Sequence, residues 1–393
     1  MAKAWLATVL LVALLGCSGH ASSADRFVMK VGVTFAGTDW TTTLSLQTRT
    51  GDVPSKGLVL FVPGSGGVGD PMLEQELLRP DRDLYRFGGW SKALLDAGYA
   101  VASYNTLGVR DTSACLHDLP WPQSPAAAFI AACIDQDVRR TVSLGLLEDE
   151  LAAVAEMLGR YGKPVHLLAT SAGGRVAAAL IQAKRIQPAS VVALSVPTGS
   201  LRQTFVYQWH REWMLQRLTD RLIQSGQPRL SARDAAQGLP GGVDAVLDVL
   251  RDHAVTLESL TAARFNWAWF TRTAEAHYRA LPDDSPVHAQ FLGFPIAAFY
   301  GARWFKDLFD DTQPVVERLA DYPGELTFLL GAEDDRLPLV PAGACPGRAP
   351  PRCRVEVFPG LGHALSRDGR ADPAVVEQVL QALRRAAAPA PPR

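Results

Sequence analysis

The stretch Val165-His-Leu-Leu-Ala-Thr-Ser-Ala-Gly-Gly174 decides the fold, because it sets Ser171 at the tip of a strand-to-helix turn whose neighbours carry almost no side chain. Strand formers Val165, Leu167 and Leu168 precede the serine, and the Ala-rich run from Arg175 to Lys184 reads as a helix after it. A nucleophile elbow needs that context. The turn forces the serine into a strained backbone conformation with its oxygen exposed, which requires small residues two positions before and two after so that strand and helix can approach. Here these are Ala169 and Gly173, one methyl group away from the usual G-x-S-x-G.

Two downstream segments supply partners for a serine. Leu326-Thr-Phe-Leu-Leu-Gly-Ala-Glu-Asp-Asp-Arg-Leu-Pro338 reads as a buried strand that ends at Gly331 and runs into an acidic loop. The spacing from Gly331 to Pro338 favours Asp334 over its neighbours Glu333 and Asp335 and over the upstream Asp310 and Asp311. Val355-Glu-Val-Phe-Pro-Gly-Leu-Gly-His363 reads as a second strand followed by a Gly/Pro loop that presents one histidine. The remaining histidines suit catalysis less well: His20 falls in the leader, His117 near a cysteine-bounded loop, His166 inside a strand, and His210, His253, His277 and His288 in a long helical insertion.

The order Ser171, Asp334, His363 has a chemical logic. A serine hydroxyl is a poor nucleophile near neutral pH, so an imidazole must take its proton during attack and return it to the leaving group. A carboxylate behind the imidazole fixes the tautomer and stabilises the positive charge that develops on the ring. His363 and Asp334 fit those two roles.

A second constellation lies in Leu58-Val-Leu-Phe-Val-Pro-Gly-Ser-Gly-Gly-Val-Gly69. Gly64 to Gly69 satisfies G-x-G-x-x-G, yet the next strand ends in Asn105 where a ribose-binding acid belongs, and no G-K-[ST] follows. The loop suits an oxyanion hole better. Negative charge develops on the carbonyl oxygen as serine attacks, and main-chain N–H groups fixed close by stabilise it. The donors expected are Ser65 N–H, after the third strand, and Ala172 N–H, just after the nucleophile.

With these residues in place, the chain resembles a serine hydrolase of the α/β-hydrolase fold, and is most similar to the broad group of esterases and serine aminopeptidase-like enzymes. The resemblance rests on the triad order, on Pro63-Gly-Ser-Gly66 and on the loop Tyr104 to Ser113, and it covers roughly residues 55–200 and 310–388. Relatives have Y-D-x-R-G-x-G-x-S in that loop. Asn105 and Leu107 replace its acid and arginine, so any ionic scaffold under the loop must be rebuilt. Pro63 stands where many relatives carry histidine.

The resemblance implies an α/β fold with a mostly parallel central sheet, antiparallel N-terminal strands, helices on both faces and a helical cap inserted after strand 6. It implies cleavage of a carboxylic ester through an acyl-Ser171 intermediate, with peptidase or thioesterase action by the same machinery as alternatives. A binding protein that kept the fold without turnover is the reading from another class.

The hydropathy pattern agrees with that architecture. Phe27 to Phe35 and Trp40 to Arg49 alternate as antiparallel strands do, and apolar strands near 100–104, 165–170, 190–195, 326–330 and 354–358 are separated by helical runs. Leu147 to Leu158 is one such helix, and another starts at Asp372-Pro373 and runs to about Ala388 with Val376, Val379, Leu380 and Leu383 inward. The domains expected are a signal segment at 1–24, a core in two parts at 25–199 and 310–388, a cap at 200–309 and a tail at 389–393. The cap segment is rich in aromatics, among them Phe205, Trp209, Trp267 and Trp304, which read as its own core; an aromatic lid would also favour a substrate with an apolar acyl or aromatic part. Gly238 to Gly242 reads as a hinge within it.

Composition excludes other classes. With 39 Lys and Arg against 40 Asp and Glu, nothing steers the chain toward nucleic acid. Met1 to Cys17 carries one lysine and then an apolar run, a secretory signature, and Leu14-Leu-Gly-Cys17 resembles a bacterial lipobox, with ordinary cleavage nearer Ala21 or Ala24 as the alternative. Either route predicts export, to the periplasm or outer membrane as a lipoprotein or as a secreted form, with lipidated Cys17 as the membrane anchor. Cys115, Cys133, Cys345 and Cys353 then remain, and the expected pairing is local, Cys115 with Cys133 and Cys345 with Cys353, each stapling a loop beside the active-site face. No C-x-x-C spacing suggests a metal, and no cofactor is expected.

Overall fold

The computed structural model describes residues 24–49, 56–65, 90–110, 133–208, 215–237, 246, 250, 254–264, 267–285, 290–291, 294–295, 300–334, 336–338, 340–367 and 370–387. The N-terminal hairpin pairs β1 (Ala24–Phe35) with β2 (Thr38–Arg49), antiparallel and in continuous register from Ala24 opposite Arg49 to Phe35 opposite Thr38. Its two-residue turn, Ala36-Gly37, has positive φ at both positions, the geometry whose twist matches that of paired strands.

Six longer strands follow: β3 (Leu58–Val62), β4 (Ala100–Asn105), β5 (Val165–Thr170), β6 (Ser190–Leu194), β7 (Glu325–Gly331) and β8 (Cys353–Phe358). They join the hairpin in one sheet of order β1-β2-β4-β3-β5-β6-β7-β8, parallel from β4 onward, with the two-residue strand Gly343–Ala344 antiparallel at the far edge. This is the α/β-hydrolase fold. Its parallel strands are apolar along their length because both faces are covered. In β3, Leu58, Leu60 and Val62 pack into one core and Val59 and Phe61 into the other. Helices Leu144–Gly159 and Ala172–Gln182 contribute to the first core, and Trp90–Asp96 and Pro373–Ala387 to the second. The last helix buries Val375, Val379, Ala382 and Leu383, whereas Val376 and Leu380, expected inward, lie at the margin of that core.

Between β6 and β7 the chain is not purely helical. Helices Leu201–Tyr207, Gln216–Ser225, Leu257–Arg264, Trp267–Ala280 and Ala302–Asp310 accompany a ribbon of Arg229–Ser231 against Ala254–Thr256. Leu230 and Val255 face each other across the ribbon and share a small aliphatic cluster with Leu215, Leu218 and Leu222. Among the described residues, the aromatics of this segment do not form a core of their own. Phe205, Tyr278, Phe305 and Phe309 pack on one another, with the Tyr278 and Phe305 rings stacked 4.6 Å apart, and merge with the first core of the sheet. The side chains of Trp209 and Trp267 and the segment Gly238–Gly242 lie outside the described residues.

Cys345 and Cys353 are disulfide-bonded. The bond does not border the active-site face as expected. Cys353 begins β8 opposite Leu326, so it staples the N-terminal edge of the sheet, opposite the edge where the parallel strands end. Cys133 is also in a disulfide, whose other half lies outside the described residues, as do Cys17 and Cys115.

Candidate active site

Ser171 follows β5 and precedes the helix Ala172–Gln182, with φ 46° and ψ −125°, a conformation L-residues seldom adopt. Such strain persists only where surroundings over-determine it. Here Ser171 N–H donates to Leu194 O at 3.1 Å, and its carbonyl accepts from Gly174 N at 3.1 Å. The side chain makes no capping bond to the helix it precedes. Ala172 N–H is the first of the helical donors that have no partner within the helix, and it stands at the positive end of the helix.

The loop after β3 reaches the same point. A Cβ on Gly64 would lie 3.0 Å from Ser171 Cβ, so Gly64, the residue before Ser65, passes directly beside the serine. Both expected oxyanion donors, Ser65 and Ala172, therefore belong to segments that meet at Ser171. The glycines beyond residue 65 lie outside the described residues.

Asp334 and His363 are brought together as the sequence suggested. Asp334 Oδ2 is 2.8 Å from His363 Nδ1, and Asp334 Oδ1 accepts from Arg336 N at 2.9 Å. The carboxylate is buried, at 3% side-chain exposure, while the imidazole keeps 15%. Gly331 permits this pairing. A Cβ there would lie 2.2 Å from Leu361 O and 2.5 Å from Gly362 O, so only glycine lets the histidine loop cross the end of β7 and come down on the acid loop.

Ser171, Asp334 and His363 follow the C-terminal ends of β5, β7 and β8 respectively. A line of main-chain bonds ties these ends together: Ser171 N to Leu194 O, Ser195 N to Leu329 O, and Ala332 N to Phe358 O. Ligands of open α/β sheets bind at this edge.

Among the described residues, Asp310, Asp311 and His166 are engaged elsewhere. Asp311 is buried and accepts from Arg175 Nε at 2.7 Å, Arg318 Nη2 at 2.6 Å and Leu201 N at 3.0 Å, an interior anchor far from His363 in role. Asp310 pairs with Arg279, and Glu333 is exposed; Asp335 lies outside the described residues. His166 is packed in β5 with Nδ1 2.8 Å from Ser190 Oγ, and burial pushes its pKa down to about 4.

The turn after β4 shows how its missing acid and arginine are replaced. Asn105 Nδ2 donates to Arg110 O at 3.1 Å, Leu107 N donates to Glu150 Oε2 at 3.2 Å, and Arg139 Nη1 donates to Thr106 Oγ1 at 2.7 Å and Leu107 O at 3.0 Å. Arg139 and Glu150 are both fully buried. Sequence reasoning missed both. Glu150 sits on the apolar face of an amphipathic helix, and a charge at such a position was the available signal.

An apolar cavity of about 330 Å³ opens beside this edge, lined by Val196 after β6, Thr204 and Tyr207 of the helix Leu201–Tyr207, Leu330 at the end of β7, and Leu337 and Pro338 of the acid loop. Gln208 Nε2 donates to Arg336 O at 3.0 Å and ties that helix to the acid loop. Among the described residues, no cluster of three or more His, Cys, Asp or Glu side chains could hold a metal ion.

No family model and no curated protein matches the chain. Solved structures similar to it include a proline iminopeptidase of Mycobacterium smegmatis (17% identity, TM-score 0.45, covering 91% of this chain and 98% of that one). A thermophilic esterase of Thermogutta terrifontis (14% identity, TM-score 0.43, 91% and 98%) and a monoacylglycerol lipase of Paleococcus ferrophilus (13% identity, TM-score 0.42, 87% and 99%) are similar to the same degree. Likeness this distant carries no argument about activity. The fold rests on the strand order and the elbow.

Proposed function

We propose that this chain is a serine hydrolase that cleaves a carboxylic ester through an acyl-Ser171 intermediate. The observation that carries the reading is the 2.8 Å Asp334–His363 pair on the sheet edge that also holds the strained Ser171 elbow. Asp334 accepts from His363 Nδ1–H, which leaves Nε2 as the base. Ser171 Oγ attacks the ester carbon while its proton passes to Nε2, and the oxyanion is held by Ser65 and Ala172 N–H. Collapse expels the alcohol, which takes the proton from Nε2. Water then attacks the acyl-serine, gives a proton to Nε2, and the second collapse returns that proton to Ser171 and releases the acid.

The apolar cavity beside the acid loop supports an apolar acyl part in the substrate, since its volume falls in the range of small-molecule pockets. The test is labelling with a fluorophosphonate probe, which requires an activated serine, followed by a panel of esters, thioesters and aminoacyl amides. Wild type should label and Ser171→Ala should not. Absence of labelling in wild type overturns the hydrolase reading in favour of a binding protein, and aminoacyl amides outperforming every ester overturns the ester preference. We also infer export, with Cys17 lipidated; a mature N-terminus beyond Cys17 without lipid, by intact mass, overturns the anchor.

A further inference from the structure

Arg139 is fully buried, which is costly for a guanidinium unless its donors are satisfied. Among the described residues it reaches three parts of the chain. Nη2 donates to Ser65 O, in the loop after β3, at 3.4 Å. Nη1 donates to Thr106 Oγ1 and Leu107 O, in the turn after β4. The plane of the group rests on the Tyr300 ring, with Cζ 4.1 Å from the ring centroid, and Tyr300 in turn stacks on Trp304 at 4.5 Å and 5°. The turn after β4 is shaped around this side chain: Gly108 has φ +81°, and a Cβ there would lie 2.5 Å from Arg139 Cδ.

We propose that Arg139 is a positioning residue for the oxyanion hole, holding the loop after β3 by the Ser65 carbonyl, with the turn after β4 and the Tyr300 ring as its fixed supports. The proposal rests on the reading of Ser65 N–H as an oxyanion donor. The geometry gives it a reason. Ser65 lies three residues past Val62, the end of β3, and so outside the hydrogen-bond ladder of the sheet. A donor contributes to catalysis in proportion to how well its direction is fixed before charge develops. The Ser65 N–H lies in the peptide plane that Gly64 begins and the Ser65 carbonyl in the plane that follows; Gly64 against Ser171 holds the first and Arg139 the second, so the two together limit rotation of the N–H. A guanidinium can span three acceptors on two loops because its donors lie in a rigid plane; a lysine ammonium cannot reach all three from one position.

The test uses the intact protein and a chromogenic ester, with kcat normalised to the sites that a fluorophosphonate titrates. Arg139→Lys should lower kcat by roughly 10- to 100-fold with KM within about threefold, because the lost interaction matters when the oxyanion forms. Tyr300→Leu removes the supporting ring, keeps the arginine and should give a smaller fall of the same kind, and it decides the matter if Arg139→Lys does not fold. Ser65→Pro deletes the N–H itself and should cost on the order of 100-fold or more in kcat. If Ser65→Pro keeps wild-type kcat, the oxyanion reading of Ser65 fails and the proposal with it. If Ser65→Pro is impaired while Arg139→Lys and Tyr300→Leu keep wild-type kcat per titrated site, Arg139 serves stability alone and the proposal is overturned.

Discussion

Gly173 and the carbonyl oxygen of Pro63 stand so close that a Cβ on the glycine would lie 2.4 Å from that oxygen. The contact joins the first turn of the helix after Ser171 to the loop after β3, the two segments that carry the proposed oxyanion donors. Gly173→Ala should therefore push the segments apart. The expected cost is about 1–3 kcal/mol of stability, the size of an overpacked core, together with a fall in kcat. Ala169→Gly, which restores the usual pattern two residues before the serine, should leave kcat near wild type; urea midpoints and kcat on one ester check both.

The acid assignment separates by phenotype. Asp334→Asn should lower kcat by about three orders of magnitude or more with little change in Tm, because it takes the carboxylate from behind His363. Asp311→Asn should do the reverse, lowering Tm, since Asp311 holds Arg175, Arg318 and Leu201 N. Glu333→Gln and Asp335→Asn should change neither much. A larger kcat loss in Asp335→Asn than in Asp334→Asn would move the acid.

Glu150 makes stability depend on pH. Burial raises its pKa from 4.5 to about 7, against the opposing pull of the Thr42 side chain, Leu107 N–H and the Arg139 charge. A carboxyl that holds its proton more tightly folded than unfolded makes the native state bind the extra proton between those values, so its contribution to stability falls as pH rises from about 4.5 through about 7. Glu150→Gln should remove that fall. The difference in Tm between variant and wild type should grow in the variant's favour across this window and level off above it. His166 acts with the opposite sign: its pKa, lowered to about 4 by burial, makes stability rise with pH between there and 6.5. The wild-type profile alone thus mixes the two, and the difference between the proteins isolates Glu150.

The cavity beside the acid loop sets the expected acyl preference. Each methylene buried there contributes about 0.8 kcal/mol at most, so kcat/KM should rise a fewfold per carbon from acetate to medium-chain esters. Leu337→Trp or Thr204→Phe, which fill the cavity from two sides, should flatten the series without abolishing acetate turnover. A flat series in the wild type would show that the cavity does not receive the acyl group.

The sequence by itself determined the elbow, the parallel architecture and the order of the three site residues. These are local properties: small residues around Ser171, apolar runs of strand length, and turn residues such as Gly331 and Pro338, each visible within a few positions. The tertiary structure decided which of several acids faces His363, because Asp334 and its neighbours Glu333 and Asp335 differ only in where a loop points after Gly331, and Asp310 and Asp311 only in where the chain before β7 is packed. It alone placed Arg139, whose partners lie 32 and 74 residues away in sequence, beside two loops and a ring. It also sent Phe205, Tyr278, Phe305 and Phe309, from the segment between β6 and β7, into the core of the sheet, and set the Cys345–Cys353 disulfide on the edge away from Ser171, Asp334 and His363. Packing of this kind depends on which surfaces meet after the chain folds back on itself, and hydropathy along the chain records that a side chain is buried without recording against what.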